Sequence, residues 1–71
     1  MTTADVAIFA RNVAATRAKR GLSQAQVSKP SGIHATEVSR IERGLRDPRL
    51  STIVRLARAM GVEPARLLDG T

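Results

Sequence analysis

The sequence predicts an all-α fold, in which five short helices pack into one compact bundle. Apolar residues recur at intervals of three and four, as they do on the buried face of a helix. Capping patterns and glycines punctuate these apolar stretches. With 71 residues the chain can form only one domain, whose core must consist of helix–helix contacts or be completed by a partner chain.

The first helix is predicted to start at Thr2 or Thr3, either of which can cap it, and to end before Gly21. Helical spacing brings together on one face Val6, Phe9, Ala10, Val13 and Arg17. We assign residues 1–5 to a flexible N-terminal end and residues 6–70 to the domain.

Two short helices joined by a tight turn follow. Ser23 and Gln26 have the Ser-x-x-Gln spacing of a capping box, so a helix should start at Ser23. Gly32 can adopt the positive φ that a sharp reversal of the chain requires. The next helix runs from His34 to Arg43, with core positions on one side and polar residues over the rest. This arrangement is the sequence form of a helix-turn-helix that reads duplex DNA.

The fourth and fifth helices follow a loop rich in arginine. Asp47-Pro48 can open the fourth helix, because proline is tolerated in a first turn, and Gly61 stops it. The predicted buried face of this helix comprises Leu50, Ile53, Val54, Ala57 and Met60. Glu63-Pro64 starts a final short helix that carries Leu67 and Leu68.

The composition excludes most kinds of chemistry. There is no cysteine, and a single histidine forms neither a metal cluster nor a catalytic dyad. The chain also lacks a nucleophile–base pair and a glycine-rich phosphate loop. We therefore expect no enzymatic activity, no cofactor, no bound metal and no small-molecule effector. No apolar run has the length of a membrane span or a signal peptide, so we expect a cytoplasmic protein that joins the nucleoid when bound to DNA.

The charge of the chain points to nucleic acid. Twelve Lys and Arg against six Asp and Glu give a formal net charge of +6, which indicates a polyanionic partner. Phe9 is the only aromatic residue, whereas proteins that read RNA or single strands stack bases on aromatic side chains. Double-stranded DNA, which a helix reads without aromatic residues, is therefore the expected partner.

Arginines recur at every third position through the third helix and the following loop, at Arg40, Arg43, Arg46 and Arg49. A charge run of this kind is in general more often a solvated surface than a binding site. Here the run leaves a helix with a polar face, which favours contact with phosphates. Guanidinium groups fit phosphate oxygens in bidentate geometry.

Short motifs in a fixed order connect the chain to a known family. They are Gly21-Leu22-Ser23-Gln24, Gly32-Ile33, Ile41-Glu42-Arg43-Gly44, Pro48, Leu56-Ala57 and Met60-Gly61-Val62. From about Phe9 to Leu68 the chain resembles the phage-repressor/Cro-type (XRE-like) helix-turn-helix family. The resemblance implies a compact five-helix domain that binds duplex DNA sequence-specifically as a homodimer, most often in transcriptional control.

The resemblance implies that the third helix lies in the major groove. The base-reading positions are then Ala35, Thr36, Glu37, Ser39 and Arg40. Arg40 is the candidate guanine reader, because arginine binds the edge of guanine in bidentate fashion. Ala35 offers only a methyl group, which suits thymine. Glu37 could accept a hydrogen bond from a cytosine amine, but we favour a role in capping the helix start beside His34.

Other positions are expected to contact the DNA backbone or to hold the domain and its dimer together. The backbone contacts are Ser23, Gln24, His34, Arg43, Arg46 and Arg49, and the start of the second helix favours an anion. Family position makes Arg17 and Glu42 a buried ion pair between the first and third helices. The dimer interface is expected around Val62, Leu67 and Leu68, with Leu67 leaning inward and Leu68 toward the partner.

Three residues depart from the family pattern. Ser28 stands where alanine is preferred between the two motif helices, and it should be tolerated because it is nearly as small. Pro30 should make the second helix end or kink early, since it removes a backbone donor and disfavours helical geometry at Lys29. His34 replaces the usual hydroxyl cap of the third helix, which should weaken that cap.

We therefore predict a transcriptional regulator, acting as a repressor and as a homodimer on a near-palindromic operator. Three alternatives stay open from the sequence: an antitoxin, a controller of a restriction–modification operon, and a protein-interaction adaptor. The arginine-rich third helix favours DNA binding over a pure adaptor, which would not need it.

Overall fold

Five helices account for most of the chain in the computed structural model, which describes residues 1–71. Their bounds are α1 Thr3–Lys19, α2 Gln24–Ser31, α3 Ala35–Glu42, α4 Leu50–Met60 and α5 Pro64–Leu67. There is no β-strand, so the prediction of an all-α fold with five helices is confirmed. Helix α1 packs against α3, α4 and α5, while α2 packs against α3 and α4. None of these helices has the length and apolarity needed to cross a bilayer.

Capping boxes fix where the first two helices begin. Thr2 Oγ1 accepts from the backbone N–H of Asp5 at 3.0 Å, and the Asp5 carboxylate accepts from the N–H of Thr2 in return. Ser23 and Gln26 form the predicted capping box, in which Ser23 Oγ accepts from the backbone N–H of Gln26 at 3.0 Å. The residues between Thr2 and Val6, which the sequence predicts to be part of a flexible end, lie in α1. The first capping box stabilises this helix start because it satisfies N–H groups that would otherwise lack partners.

Helix α2 runs further than the sequence predicted. Pro30 lies inside the helix and does not end it early. Gly32 ends it in a left-handed conformation at φ 71°, and its N–H donates to the carbonyl oxygen of Ser28 at 3.0 Å. The buried Ser31 hydroxyl donates to the same carbonyl and accepts from the N–H of Ile33. These bonds hold the last turn despite the N–H that Pro30 lacks.

Helix α4 differs from the prediction at its N-terminal end. It begins at Leu50 with Arg49 as the N-cap residue, so Pro48 precedes the helix instead of occupying its first turn. Leu50, predicted to lie on the buried face, is 72% exposed, whereas Leu56, absent from that prediction, is fully buried. The period of apolar residues gives the direction of a buried face, but not how far the core extends along the helix.

The apolar sides of all five helices meet in one core. Eleven buried side chains form a single cluster, composed of Phe9, Val13, Val27, Ile33, Val38, Ile41, Ile53, Leu56, Ala57, Met60 and Leu67. Val38 and Ile41 belong to α3, and their burial fixes which side of that helix turns inward. The remaining side of α3 is therefore the one that an external partner can reach.

Candidate nucleic-acid interface

The accessible side of α3 carries all the side chains that the sequence assigned to base reading. We call these residues the reading face: Ala35, Thr36, Glu37, Ser39 and Arg40. Thr36 is exposed and the other four are half-buried. At helical spacing, Thr36 and Arg40 lie one turn apart on the same side. The structure thus brings the predicted readers onto one surface.

His34 caps this helix with its ring. The Nδ1 atom accepts a hydrogen bond from the backbone N–H of Thr36 at 3.1 Å. A ring nitrogen therefore takes the place of the hydroxyl oxygen that is more usual at an N-cap. The ring is exposed and lies directly beside the reading face.

Glu37 does not cap α3, and that prediction is wrong. Its Oε2 atom accepts from Arg46 Nε at 2.9 Å, and its Oε1 atom lies 3.6 Å from Arg40 Nη1. The helix start is already capped by His34, and guanidinium groups bind a carboxylate more strongly than a neutral N–H does. The three-residue spacing of Glu37 and Arg40 on a helix could have suggested their contact. The contact of Glu37 with Arg46, however, depends on the path of the loop after α3.

The loop after α3 keeps its arginines at the surface. Arg43 Nε donates to the carbonyl oxygen of Ser39 at 3.4 Å, and Arg46 Nη1 donates to that of Leu45 at 3.1 Å. Arg49 precedes α4 and makes no side-chain capping bond. Since Arg43, Arg46 and Arg49 are all exposed, their guanidinium groups are accessible to an anion.

Arg11 lies close to two of these exposed arginines, although its position in the sequence indicated no role. It lines, together with Arg43 and Arg46, a shallow groove of about 610 Å³ between α1 and the loop after α3. Arg11 is exposed. Because it is far from the arginine series in the sequence, no spacing signal could have revealed this proximity.

The start of α2 offers donors that are partly engaged within the chain. Gln24 Nε2 donates to Glu42 Oε1 at 3.1 Å, and its second N–H has no partner in the chain. The Ser23 hydroxyl oxygen accepts from the Gln26 N–H, which leaves its own O–H as a donor. Both side chains can therefore still donate to a phosphate.

Arg17 and Glu42 form the predicted ion pair and link α1 to the end of α3. Arg17 Nε lies 2.6 Å from Glu42 Oε2, and Nη2 lies 2.9 Å from Oε1. Arg17 Nη1 also donates to the carbonyl oxygen of Leu22 at 2.9 Å. The Glu42 side chain is only 7% exposed. Hydrogen bonding to Glu42 raises the pKa of Arg17 above its ordinary value, against the opposing effect of desolvation.

One of the three residues assigned to a dimer interface, Leu67, does not fit that role. Leu67 is fully buried in the core, so it leans inward as predicted but has no surface to offer a partner. Val62 and Leu68 are half-buried at the edge of the core. Asn12 holds this end of the chain, since its Nδ2 donates to the carbonyl oxygens of Leu67 at 3.0 Å and Asp69 at 2.8 Å.

Known proteins resemble this chain over most of its length. The family model described as "Helix-turn-helix" matches residues 13–67. The restriction-modification controller protein C.AhdI from Aeromonas hydrophila has a crystal structure that matches with a TM-score of 0.86 at 36% identity, over 90% of this chain and 97% of that one. The hypothetical transcription factor NHTF from Neisseria matches with a TM-score of 0.84 at 34% identity, over 90% of this chain and 74% of that one.

Proteins that resemble this chain in sequence include two that are named as control proteins. The control protein C.BamHI of Bacillus amyloliquefaciens is 37% identical over 65 residues, which is 90% of this chain and 80% of the relative. The control protein C.SmaI of Serratia marcescens is 39% identical over 61 residues, 86% of this chain and 73% of the relative.

Proposed function

Since this chain belongs to the helix-turn-helix family of DNA-binding transcriptional regulators, we propose that residues 6–70 bind a near-palindromic operator as a homodimer. One observation carries this proposal: the molecule has a single reading face and measures 28 × 21 × 20 Å. Successive major grooves on one side of B-DNA are roughly 34 Å apart. One copy therefore reaches one groove, and a second copy is needed to read a second half-site.

In the proposed complex, the reading face of each copy enters a major groove, and the exposed polar and basic residues around it contact phosphates. Arg40 reads a guanine, because its guanidinium is accessible on the face that would meet the base edges. The phosphate contacts come from Ser23, Gln24, His34, Arg43, Arg46 and Arg49. We add Arg11 because it lines the same groove on the protein surface as Arg43 and Arg46. Val62 and Leu68 form the contact between the two copies.

Among the possible regulatory roles, control of a restriction–modification operon is the one that a specific observation favours. C.AhdI, a restriction-modification controller protein, is matched over 97% of its own length. Two further relatives are named as control proteins. We propose that the dimer represses transcription where its operator overlaps a promoter. This role places the protein in the cytoplasm, on the nucleoid when it is bound to DNA.

Selection of bound duplexes from a randomised pool tests the dimer proposal. The expected result is two related half-sites in two-fold symmetry, with centres about one helical turn, or roughly 34 Å, apart. Sedimentation of the complex should give two chains per duplex. A single asymmetric site occupied by one chain would refute the proposal.

A promoter that carries the selected site then tests repression. In a reporter assay, expression should fall as the protein is supplied, and it should recover when the site is scrambled. A rise in expression would show that the same complex activates, and would refute the repressor role while leaving DNA binding intact.

A further inference from the structure

The reading face contains a carboxylate to which the proposed function gives no task. Glu37 lies in the first turn of α3, and its two oxygens are divided between two arginines. Arg40 and Arg46 have side chains that are 43% and 45% exposed, so burial does not hold them in place. Glu37 is the only acidic side chain within ion-pair distance of either arginine. Both guanidinium groups therefore contact the same carboxylate, Arg46 through a hydrogen bond of 2.9 Å and Arg40 through an ion-pair contact of 3.6 Å.

We propose that Glu37 is a positioning residue that sets the specificity of DNA binding through Arg40. This inference rests on the proposed function, in which Arg40 reads a base and Arg46 contacts a phosphate. Oε1 of Glu37 lies beside Arg40 Nη1, which leaves the other N–H groups of that planar guanidinium for a base edge. An unrestrained arginine samples many rotamers and can bind whichever phosphate lies nearest.

The charge of Glu37 acts in the same direction. A carboxylate beside the DNA backbone is repelled by phosphates whatever the base sequence, so it weakens binding to every duplex. A cognate site offsets this cost through the base contact of Arg40, whereas a non-cognate site has nothing to offset it. Specificity is the difference between these two affinities, and a repulsive group can enlarge it as effectively as an attractive one.

The contact with Arg46 extends this control to the loop. Arg46 Nε lies 2.9 Å from Glu37 Oε2, so the loop after α3 is tied to the first turn of the helix. The residue of the proposed phosphate contact and the residue of the proposed base contact thus lie against one carboxylate, the first hydrogen-bonded to it and the second paired with it by charge. Without Glu37, Arg40 loses its ion-pair partner and Arg46 keeps only its bond to the Leu45 carbonyl oxygen, while the net charge of the surface rises by one.

The test compares Glu37→Gln with Asp69→Asn, a matched variant that removes one negative charge from an exposed side chain with no hydrogen bond or ion pair of its own. Dissociation constants are measured at several salt concentrations for the selected duplex, for a scrambled duplex, and for each single base-pair substitution in a half-site. Thermal unfolding of both variants checks that they fold.

Glu37→Gln should raise the affinity for scrambled DNA by about tenfold per monomer at ~0.1 M salt. An arginine freed from Glu37 can neutralise one more phosphate, and this releases about one more cation from the DNA. The affinity for the selected duplex should change by less than about threefold, since lost orientation offsets the gained charge. Discrimination should fall at the base pair where Arg40→Ala also loses it. Asp69→Asn should change the affinity for both duplexes by the same factor, which should be less than about threefold.

Two results would overturn the inference. If Glu37→Gln changes the affinity for the selected and the scrambled duplex by the same factor, Glu37 acts only as a surface charge, as Asp69 does. Relaxed choice at a base pair that Arg40→Ala leaves unchanged would mean that Glu37 contacts a base directly. A wild-type protein that binds both duplexes equally would instead refute the proposed function, and the inference with it.

Discussion

At the residue scale, the ion pair of Arg17 and Glu42 joins the end of α3 to α1. Glu42→Ala leaves the Arg17 guanidinium half-buried without its partner, and the free energy of unfolding should fall on the order of 3–5 kcal/mol. Urea denaturation measures this change. Glu63→Ala, which truncates an exposed glutamate without a side-chain capping bond, should cost less than about 0.5 kcal/mol. Similar small losses in both variants would contradict the account.

The pH dependence of this contact follows from the raised pKa of Arg17. A basic group whose pKa is higher in the folded state contributes stability below its unfolded pKa and loses it only as the pH rises through the folded value. For Arg17 that loss falls in strongly alkaline solution. The difference in unfolding free energy between wild type and Arg17→Ala should therefore stay constant from roughly pH 7 to pH 9. A difference that shrinks over this range would contradict the account.

Phosphate contacts should be separable from base contacts by single substitutions. Arg11→Ala and Arg43→Ala should weaken binding to all duplexes similarly and lower the salt slope by about one unit per monomer. Gln24→Ala should also weaken binding to all sequences, but with an unchanged salt slope because glutamine is neutral. Fluorescence anisotropy at rising salt measures both quantities. Loss of affinity for the selected duplex alone would reassign the residue to base reading.

At the scale of elements, the start of α3 depends on an unusual cap. His34→Ala removes the Nδ1 acceptor of the Thr36 N–H and should lower the unfolding free energy by about 1 kcal/mol. His34→Ser restores a hydroxyl acceptor and should keep the stability close to that of wild type. Calorimetric unfolding compares the three proteins. If the alanine variant is as stable as wild type, the ring is not an effective cap.

The helices were predictable from sequence to the extent that their signals are local. The Thr2 and Ser23 caps and the Gly32 turn act within a few residues, and the structure has all three. Pro30 misled the prediction because its local penalty is outweighed by the bonds that hold the last turn of α2. Leu50 misled it because periodicity does not report where the core ends.

The surface was less predictable than the fold. The reading face follows from helical spacing once α3 is placed, since its apolar side is buried. The proximity of Arg11 to Arg43, and of Arg46 to Glu37, depends on how the loop after α3 folds back. The pairing of Arg17 with Glu42 came from the family resemblance, because nothing in their separation along the chain indicates contact.

At the scale of the whole molecule, the proposed dimer depends on a small apolar edge. Leu68→Glu places a charge at the half-buried edge of the core and should shift the dimer to monomers in sedimentation experiments, with a parallel loss of operator affinity. Leu67→Ala is the contrasting variant, because this buried residue should cost about 2–5 kcal/mol of folding stability. A Leu68→Glu protein that is folded and still dimeric would place the interface elsewhere.

The central claim is that α3 reads base edges through Arg40 while the surrounding arginines bind phosphates. Parallel selections from one randomised duplex pool, with wild type and with Arg40→Ala, test it most directly. Both proteins should select half-sites with the same spacing and symmetry. The variant should accept any base at one position per half-site and lose roughly 1–3 kcal/mol on the wild-type site. An identical motif from both selections would show that Arg40 is a phosphate contact and that the reading face is wrongly assigned.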